Sequence, residues 1–187
     1  MADNNLAVKR SVARVVLLSI LTMGLYGLYW FYATRVQMTK ELGTEDNAGW
    51  QTVGLIVPIL NWFIIYWLWR DIDKAQKKAG LDGFSAGGFL GVVIAAQLLG
   101  WIPFLGWALA IGAIVVYCLV VSKVNEYWDK QTGNKATEAP LKGGEAVVVI
   151  IGVALLILTI IAAATGALTG GATTEINNDL YNSTYSY

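Results

Sequence analysis

Residues 84–122 read FSAGGFLGVVIAAQLLGWIPFLGWALAIGAIVVYCLVVS, 39 residues without a charge. One unbroken helix of that length would measure about 60 Å at 1.5 Å per residue. That is about twice the ~30 Å of hydrocarbon in a bilayer. The middle of the stretch carries a break, Leu99-Gly-Trp-Ile-Pro-Phe-Leu-Gly-Trp107. Two glycines and a proline stop a helix, and the flanking tryptophans suit a lipid–water boundary. The stretch therefore reads as a third membrane span from Phe84 to about Ile102 and a fourth from Phe104 to Ser122. A single tilted or re-entrant element is the alternative.

Three further stretches meet the length for a span. They are Val15–Ala33, Val53–Trp69 and Ala146–Leu168. The expected fold class is thus all-α, a polytopic transmembrane helix bundle with five spans. Cationic residues in short loops stay cytoplasmic, and this rule selects between the alternatives. Five crossings gather eleven Lys and Arg residues on one side and leave Arg35 and Lys40 on the other; four crossings divide them seven to six. The five-span reading puts the N-terminus in the cytoplasm and the C-terminus outside a cell membrane. The first span has too long an apolar core for a signal peptide, and no small-x-small cleavage site follows it.

Composition agrees. Hydrophobic residues make up 56% of the 187 and charged residues 14%, where a water-facing domain carries about 25% charged. Net charge is zero and there is no polybasic run, so no nucleic-acid partner is expected. Histidine is absent and Cys118 is alone, which removes the commonest general base, a disulfide and a thiolate metal site. The spans hold no Asp, Glu, Lys or Arg, so ion-coupled transport and acid–base catalysis within the membrane have no carriers. No enzyme, metal or cofactor is expected. The expected partners are the bilayer and a second membrane protein or a second copy of the chain.

The organisation reads as a cytoplasmic lead (1–14), a four-helix membrane domain (15–133), a loop with the fifth helix (134–168) and a disordered external tail (169–187). Three amphipathic extensions leave the spans and stop at Gly43, Gly80 and Gly133. An offset of 37 carries Tyr29–Tyr32 onto Tyr66–Trp69 and Gly43 onto Gly80, and a further 53 carries Gly80 onto Gly133. Shared physics of helices leaving a membrane, each needing aromatics, then charges, then a stop, explains this better than duplication does. Asn182-Ser-Thr is an N-glycosylation acceptor tripeptide in the tail.

Polar and aromatic residues inside the spans are the candidate site. Pro58 removes a backbone donor, kinks its helix and frees a carbonyl near Gly54. Asn61 beside it is read as an interhelical clamp or a polar notch, with Gln97 and Thr22 as partners to test. Tyr26, Tyr29, Trp30, Trp62 and Tyr66 form an aromatic seam between the first two helices. Gly87, Gly91 and Ala95, with Ala108 and Gly112 opposite, suit close packing of the third and fourth helices.

The run Gly24-Leu-Tyr-Gly-Leu-Tyr-Trp-Phe-Tyr32 resembles the signature of a prokaryotic membrane family catalogued as domain of unknown function 4234. Pro58-Ile-Leu-Asn-Trp-Phe-Ile-Ile-Tyr-Trp-Leu-Trp69 and Val121-Ser-Lys-Val-Asn125 resemble its later segments. The resemblance covers roughly residues 10–130. It implies prokaryotic membrane residence and an all-helical domain, and no particular chemistry. The functional expectation is a small membrane scaffold or accessory subunit; the alternative is a passive facilitator for a small neutral solute.

Overall fold

A computed structural model describes residues 7–141 and 143–166 with their side chains, and follows the backbone of the last helix to Thr184. The expected tail and the tripeptide at Asn182 lie outside the residues described with side chains. The described chain is all-helical apart from one pair of two-residue strands. Its elements are β1 (Val8–Lys9), α1 (Val12–Leu21), α2 (Leu25–Leu42), α3 (Ala48–Gly54), α4 (Leu60–Lys78), α5 (Ala86–Leu99), α6 (Leu105–Thr132), β2 (Thr137–Glu138) and α7 (Gly144–Thr184).

The six helices before β2 form three hairpins. The descending arms α1, α3 and α5 start at polar N-caps. Ser11 accepts from the Arg14 amide, Asn47 from Trp50 and Ser85 from Gly88. Such caps supply acceptors to amides that lack an intrahelical partner. The returning arms α2, α4 and α6 end in the same way as one another. Gly43, Gly80 and Gly133 take positive φ. The next amide then bonds five residues back: Thr44 to Thr39, Leu81 to Gln76 and Asn134 to Asp129. This is the Schellman termination, which tolerates glycine best. All three expected helix stops are therefore present.

The apices carry the strain. Ile59 and Phe104 both have positive φ, at 70° and 61°, a conformation that costs a non-glycine residue about 1–3 kcal/mol. Each follows a proline and precedes a leucine, in Val57-Pro-Ile-Leu60 and Ile102-Pro-Phe-Leu105. The Leu60 amide donates to the Pro58 carbonyl at 2.8 Å, and Leu105 to Pro103 at 2.7 Å. These are γ-turns of the rare, positive-φ kind. Proline suits them because it brings no N–H needing a partner away from water. The first apex turns instead through Met23 and Gly24, both at positive φ.

These turns correct the count of five spans. Val15–Ala33 is interrupted at Thr22–Gly24 and Val53–Trp69 at Leu55–Ile59. Pro58 thus sits in a reversal, not a kink, and the Gly54 carbonyl accepts from the Val57 amide at 3.1 Å. Two described helices are long and apolar enough to cross a membrane: α6, and α7 from Gly144 to Gly166. The break in residues 84–122 falls where the sequence places it.

The buried core lies between the long helices α2, α4 and α6. It contains Trp30, Phe31 and Met38 of α2, Leu68, Trp69 and Ile72 of α4, and Val120, Val124 and Trp128 of α6. The apices are the reverse, with Ile56 at 72%, Trp101 at 80% and Phe104 at 89% exposure.

Helices α5 and α6 do not meet along the whole expected small-residue stripe. Gly87 and Gly91 face open space and Ala108 is exposed. Ala95 is half-buried, and a Cβ on Gly112 would touch Val92 at 3.4 Å. The closest approach is at the apex, where a Cβ on Gly106 would lie 2.1 Å from the Gly100 carbonyl oxygen. Backbone cannot rotate aside, so Gly106→Ala should cost about 1–3 kcal/mol in thermal unfolding in detergent. Gly87→Ala should leave the transition unchanged. Equal behaviour of the two variants would contradict this packing.

Candidate functional site

Every described Lys and Arg lies at one end of the molecule, and ion pairs tie that end together. The arms between are free of charge: 15–34, 47–69, 84–122 and, on α7, 146–166. Lys9 meets Asp129 at 2.9 Å, and Lys123 donates to the Asp82 carbonyl at 3.0 Å. The Tyr127 hydroxyl donates to Glu41 at 2.8 Å. Burial, and then Glu41, push the Tyr127 phenol above its ordinary range. The sequence reading placed Arg35 and Lys40 across the membrane from the loop after α4. The structure corrects this, because Arg35 binds Asp71 at 2.6 Å and Asp46 at 2.7 Å. A buried pair cannot have its members on opposite faces of a bilayer.

The most buried charge among the described residues is Glu145, 1% exposed, in the first turn of α7. A carboxylate there also meets the positive end of the helix dipole. Arg14 Nη2 donates to its Oε1 at 2.7 Å, Arg10 Nε lies 3.7 Å away and the Tyr26 hydroxyl donates to the same oxygen. Three local features deliver the arginines. Strand β1 runs parallel to β2, with Val8 opposite Thr137. Asn125 of α6 accepts from the Arg10 amide at 3.2 Å and donates to its carbonyl at 2.8 Å. The Arg10 guanidinium stacks 5.6 Å above the Tyr29 ring, a cation–π contact.

The expected aromatic cluster is thus divided. Tyr26 and Tyr29 belong to the Glu145 assembly. Tyr66 lines a polar recess of about 560 Å³ with Arg70 and Asp73. Trp62 Nε1 donates to Gln97 Oε1 at 2.6 Å. Asn61 and Trp30 line an apolar cavity of about 250 Å³ with Tyr117, and Pro58 stays in the second apex. Asn61 Oδ1 is buried without a hydrogen-bond partner, so the expected clamp to Gln97 or Thr22 is not made. Thr22 turns to its own helix, donating to the Leu18 carbonyl at 2.7 Å and accepting from the Tyr26 amide at 2.9 Å.

Sequence reasoning missed Glu145, Arg10, Arg14, Arg35 and Asp71 as partners. One signal was present: a lone carboxylate at the head of a long charge-free run must find a cation or a helix terminus. The buried carboxylates Glu145 and Asp71 are both paired with arginines, while Arg10 Nε and Arg35 Nε are buried without a hydrogen-bond partner; no group of three His, Cys, Asp or Glu among the described residues could hold a metal. No known family, curated protein or solved structure matches the chain.

Proposed function

We propose that this is an integral membrane protein acting by binding, as a small scaffold or accessory subunit, with its charged end in the cytoplasm. The observation that carries this is the segregation of every described cation to one end, with the bare apolar apices turned away from it. In this reading α6 and α7 cross the bilayer, the uncharged segment 84–104 that contains α5 leads to the far side, and the C-terminus lies outside. The first hairpin stops near mid-depth: its apolar returning arm, residues 25–34, reaches about 15 Å, half the hydrocarbon thickness. The second reaches nearly as far as the third, since Trp62 beside its apex bonds to Gln97 two residues before α5 ends. The arm of α6, residues 105–122, reaches about 27 Å, which brings Trp101 and Trp107 to the far interface that tryptophan favours. The resemblance of Gly24–Tyr32 to family 4234 supports residence in a prokaryotic cell membrane.

An apolar groove of about 380 Å³ between α2, α3 and α7 offers a surface for a partner helix. A solute facilitator has less support. Gln97 turns to Trp62 and leaves the cavity at Asn61 with one polar amide.

Single cysteines in a Cys118→Ser background test the topology. Lys40→Cys and Lys78→Cys should both resist a membrane-impermeant maleimide in intact cells and react after permeabilisation. Thr174→Cys should react in intact cells. Labelling of Lys40→Cys from outside would restore alternating crossings and defeat the proposal.

A further inference from the structure

We infer that the cavity between α2, α4 and α6 is a binding site for a compact neutral aromatic alcohol, held by its hydroxyl on Asn61. Such a site adds a ligand to the binding role proposed above. It is built inside the bundle and holds whichever face of a membrane the charged end occupies.

The cavity measures about 250 Å³, and its two ends differ. Gly24 of the first apex and Leu55 of the second line one end, and Gly24 is exposed there. Trp30, Phe31 and Trp69, all buried, line the other. Tyr117 meets the Trp30 ring edge-on at 5.2 Å. Further toward the charged end the same three helices carry Met38, Ile72 and Trp128, each fully buried. The cavity is therefore a dead end. It suits a molecule that is held, not one that passes through.

Four aromatic rings around one small space favour a flat apolar guest. A dry apolar cavity of about 150 Å³ holds benzene, so this one suits a ring system of about ten heavy atoms. The polar groups decide what the ring carries. The Ser19 and Tyr117 hydroxyls approach each other beside Gly27, where an added Cβ would lie 3.7 and 3.8 Å from them. Each can serve the other. Asn61 has no such neighbour, because Gln97 is taken by Trp62 and Thr22 by its own hairpin. Its Oδ1 is buried and unpartnered.

An amide presents an acceptor and a donor side by side, and a hydroxyl both donates and accepts. A ligand hydroxyl therefore meets Asn61 whichever way the terminal torsion, a soft one, is turned. A charged ligand does not fit, because no Lys, Arg, Asp or Glu lines the cavity and an unpaired ion is costly away from water. Water would serve the amide and leave the rings without contacts.

The test uses the full chain in maltoside detergent, titrated calorimetrically against a micelle-only blank. The probe is naphthol. The control is methylnaphthalene, in which a methyl group stands where the hydroxyl does. We expect one saturable naphthol site per chain, about tenfold tighter than for methylnaphthalene, since the hydroxyl satisfies a buried acceptor. Asn61→Leu, similar in size and apolar, should remove that preference while still binding methylnaphthalene, which also shows that the cavity has kept its shape. Leu55→Trp fills the cavity from the second apex and should abolish binding of both.

Equal affinity of the parent for the two compounds would overturn the site and leave an apolar void. A preference that survived Asn61→Leu would overturn the role of Asn61. Binding that survived Leu55→Trp would put the compounds elsewhere, and no saturable binding at all would mean that water or detergent occupies the cavity; both overturn the proposal. None of these results touches the topology, which the cysteine labelling decides separately.

Discussion

Glu145→Gln is expected to lower stability by about 3–5 kcal/mol, the cost of leaving a buried cation without its anion. Arg14 and Arg10 are 19% and 10% exposed at their side chains and both face Oε1 of this residue. Removing the carboxylate leaves them competing for a neutral amide at a site that is largely shielded from water. The amide also gives the Tyr26 hydroxyl a weaker acceptor. Because Arg14 also donates to the Ala139 carbonyl, the loss spreads to the β1–β2 pairing that closes the charged end. Thermal unfolding in detergent should show a large drop in Tm, with early release of α7 to proteolysis. Tyr26→Phe, which leaves Arg14 on the carboxylate, should cost only about 1–2 kcal/mol. If Glu145→Gln unfolded no earlier than Tyr26→Phe, the buried ion cluster would not be what holds α7 to the bundle.

Gly152→Leu should have the second large effect. A Cβ at this position would lie 2.6 Å from Thr22 Cγ2 and 2.7 Å from Thr22 Cα. The Cα belongs to the first apex and cannot swing away. Thr22 itself is fully buried and held by two hydrogen bonds within its own hairpin. Either α7 moves outward or the apex opens, and overpacking of this kind costs about 1–3 kcal/mol or more. Gly166→Leu, at a position facing open space, is the matched control and should leave Tm unchanged. Crosslinking between Met23→Cys and Thr159→Cys offers a direct reading. Met23 Sδ and Thr159 Oγ1 stand 3.8 Å apart. The crosslink should form in the parent and fail in Gly152→Leu. Its survival there would show that α7 does not seat on the apex through Gly152.

These predictions differ in how far they could be read from residues alone. Gly43, Gly80 and Gly133 were legible as helix stops, because a charged helical turn followed by glycine is a local signal and termination is decided locally. The reversal at Gly100–Phe104 was legible for the same reason, since two glycines, a proline and an excess of length converge there. The second apex carries nearly the same residues, Val57-Pro-Ile-Leu60, but its stretch is only as long as one span. Pro58 therefore read as a kink, and the five-span count followed. The first apex gave still less, because Thr22-Met-Gly24 contains no proline and sits in a run of ideal spanning length.

The pairings were not legible. Arg35 and Asp71 are 36 residues apart and Arg14 and Glu145 are 131 apart, and no local rule joins them. The cation count was correct in sign and too modest in extent. It left Arg35 and Lys40 as exceptions, whereas folding the hairpins back brings them to the end that holds the other described cations.

Composition and charge spacing by themselves determined that the chain is helical, apolar and polarised, and where its returning helices end. Those properties follow from interactions within a turn or two of helix, or from the simple cost of placing charge away from water. Tertiary structure decided how deep each arm goes, which charges meet, and that Gly106 and Gly152, not the glycine stripe of α5, are the points of closest helix contact. A hairpin and a crossing use the same apolar residues over the same distance. They differ only in whether the far ends come back to find partners, and that is settled by contacts between segments distant in the chain.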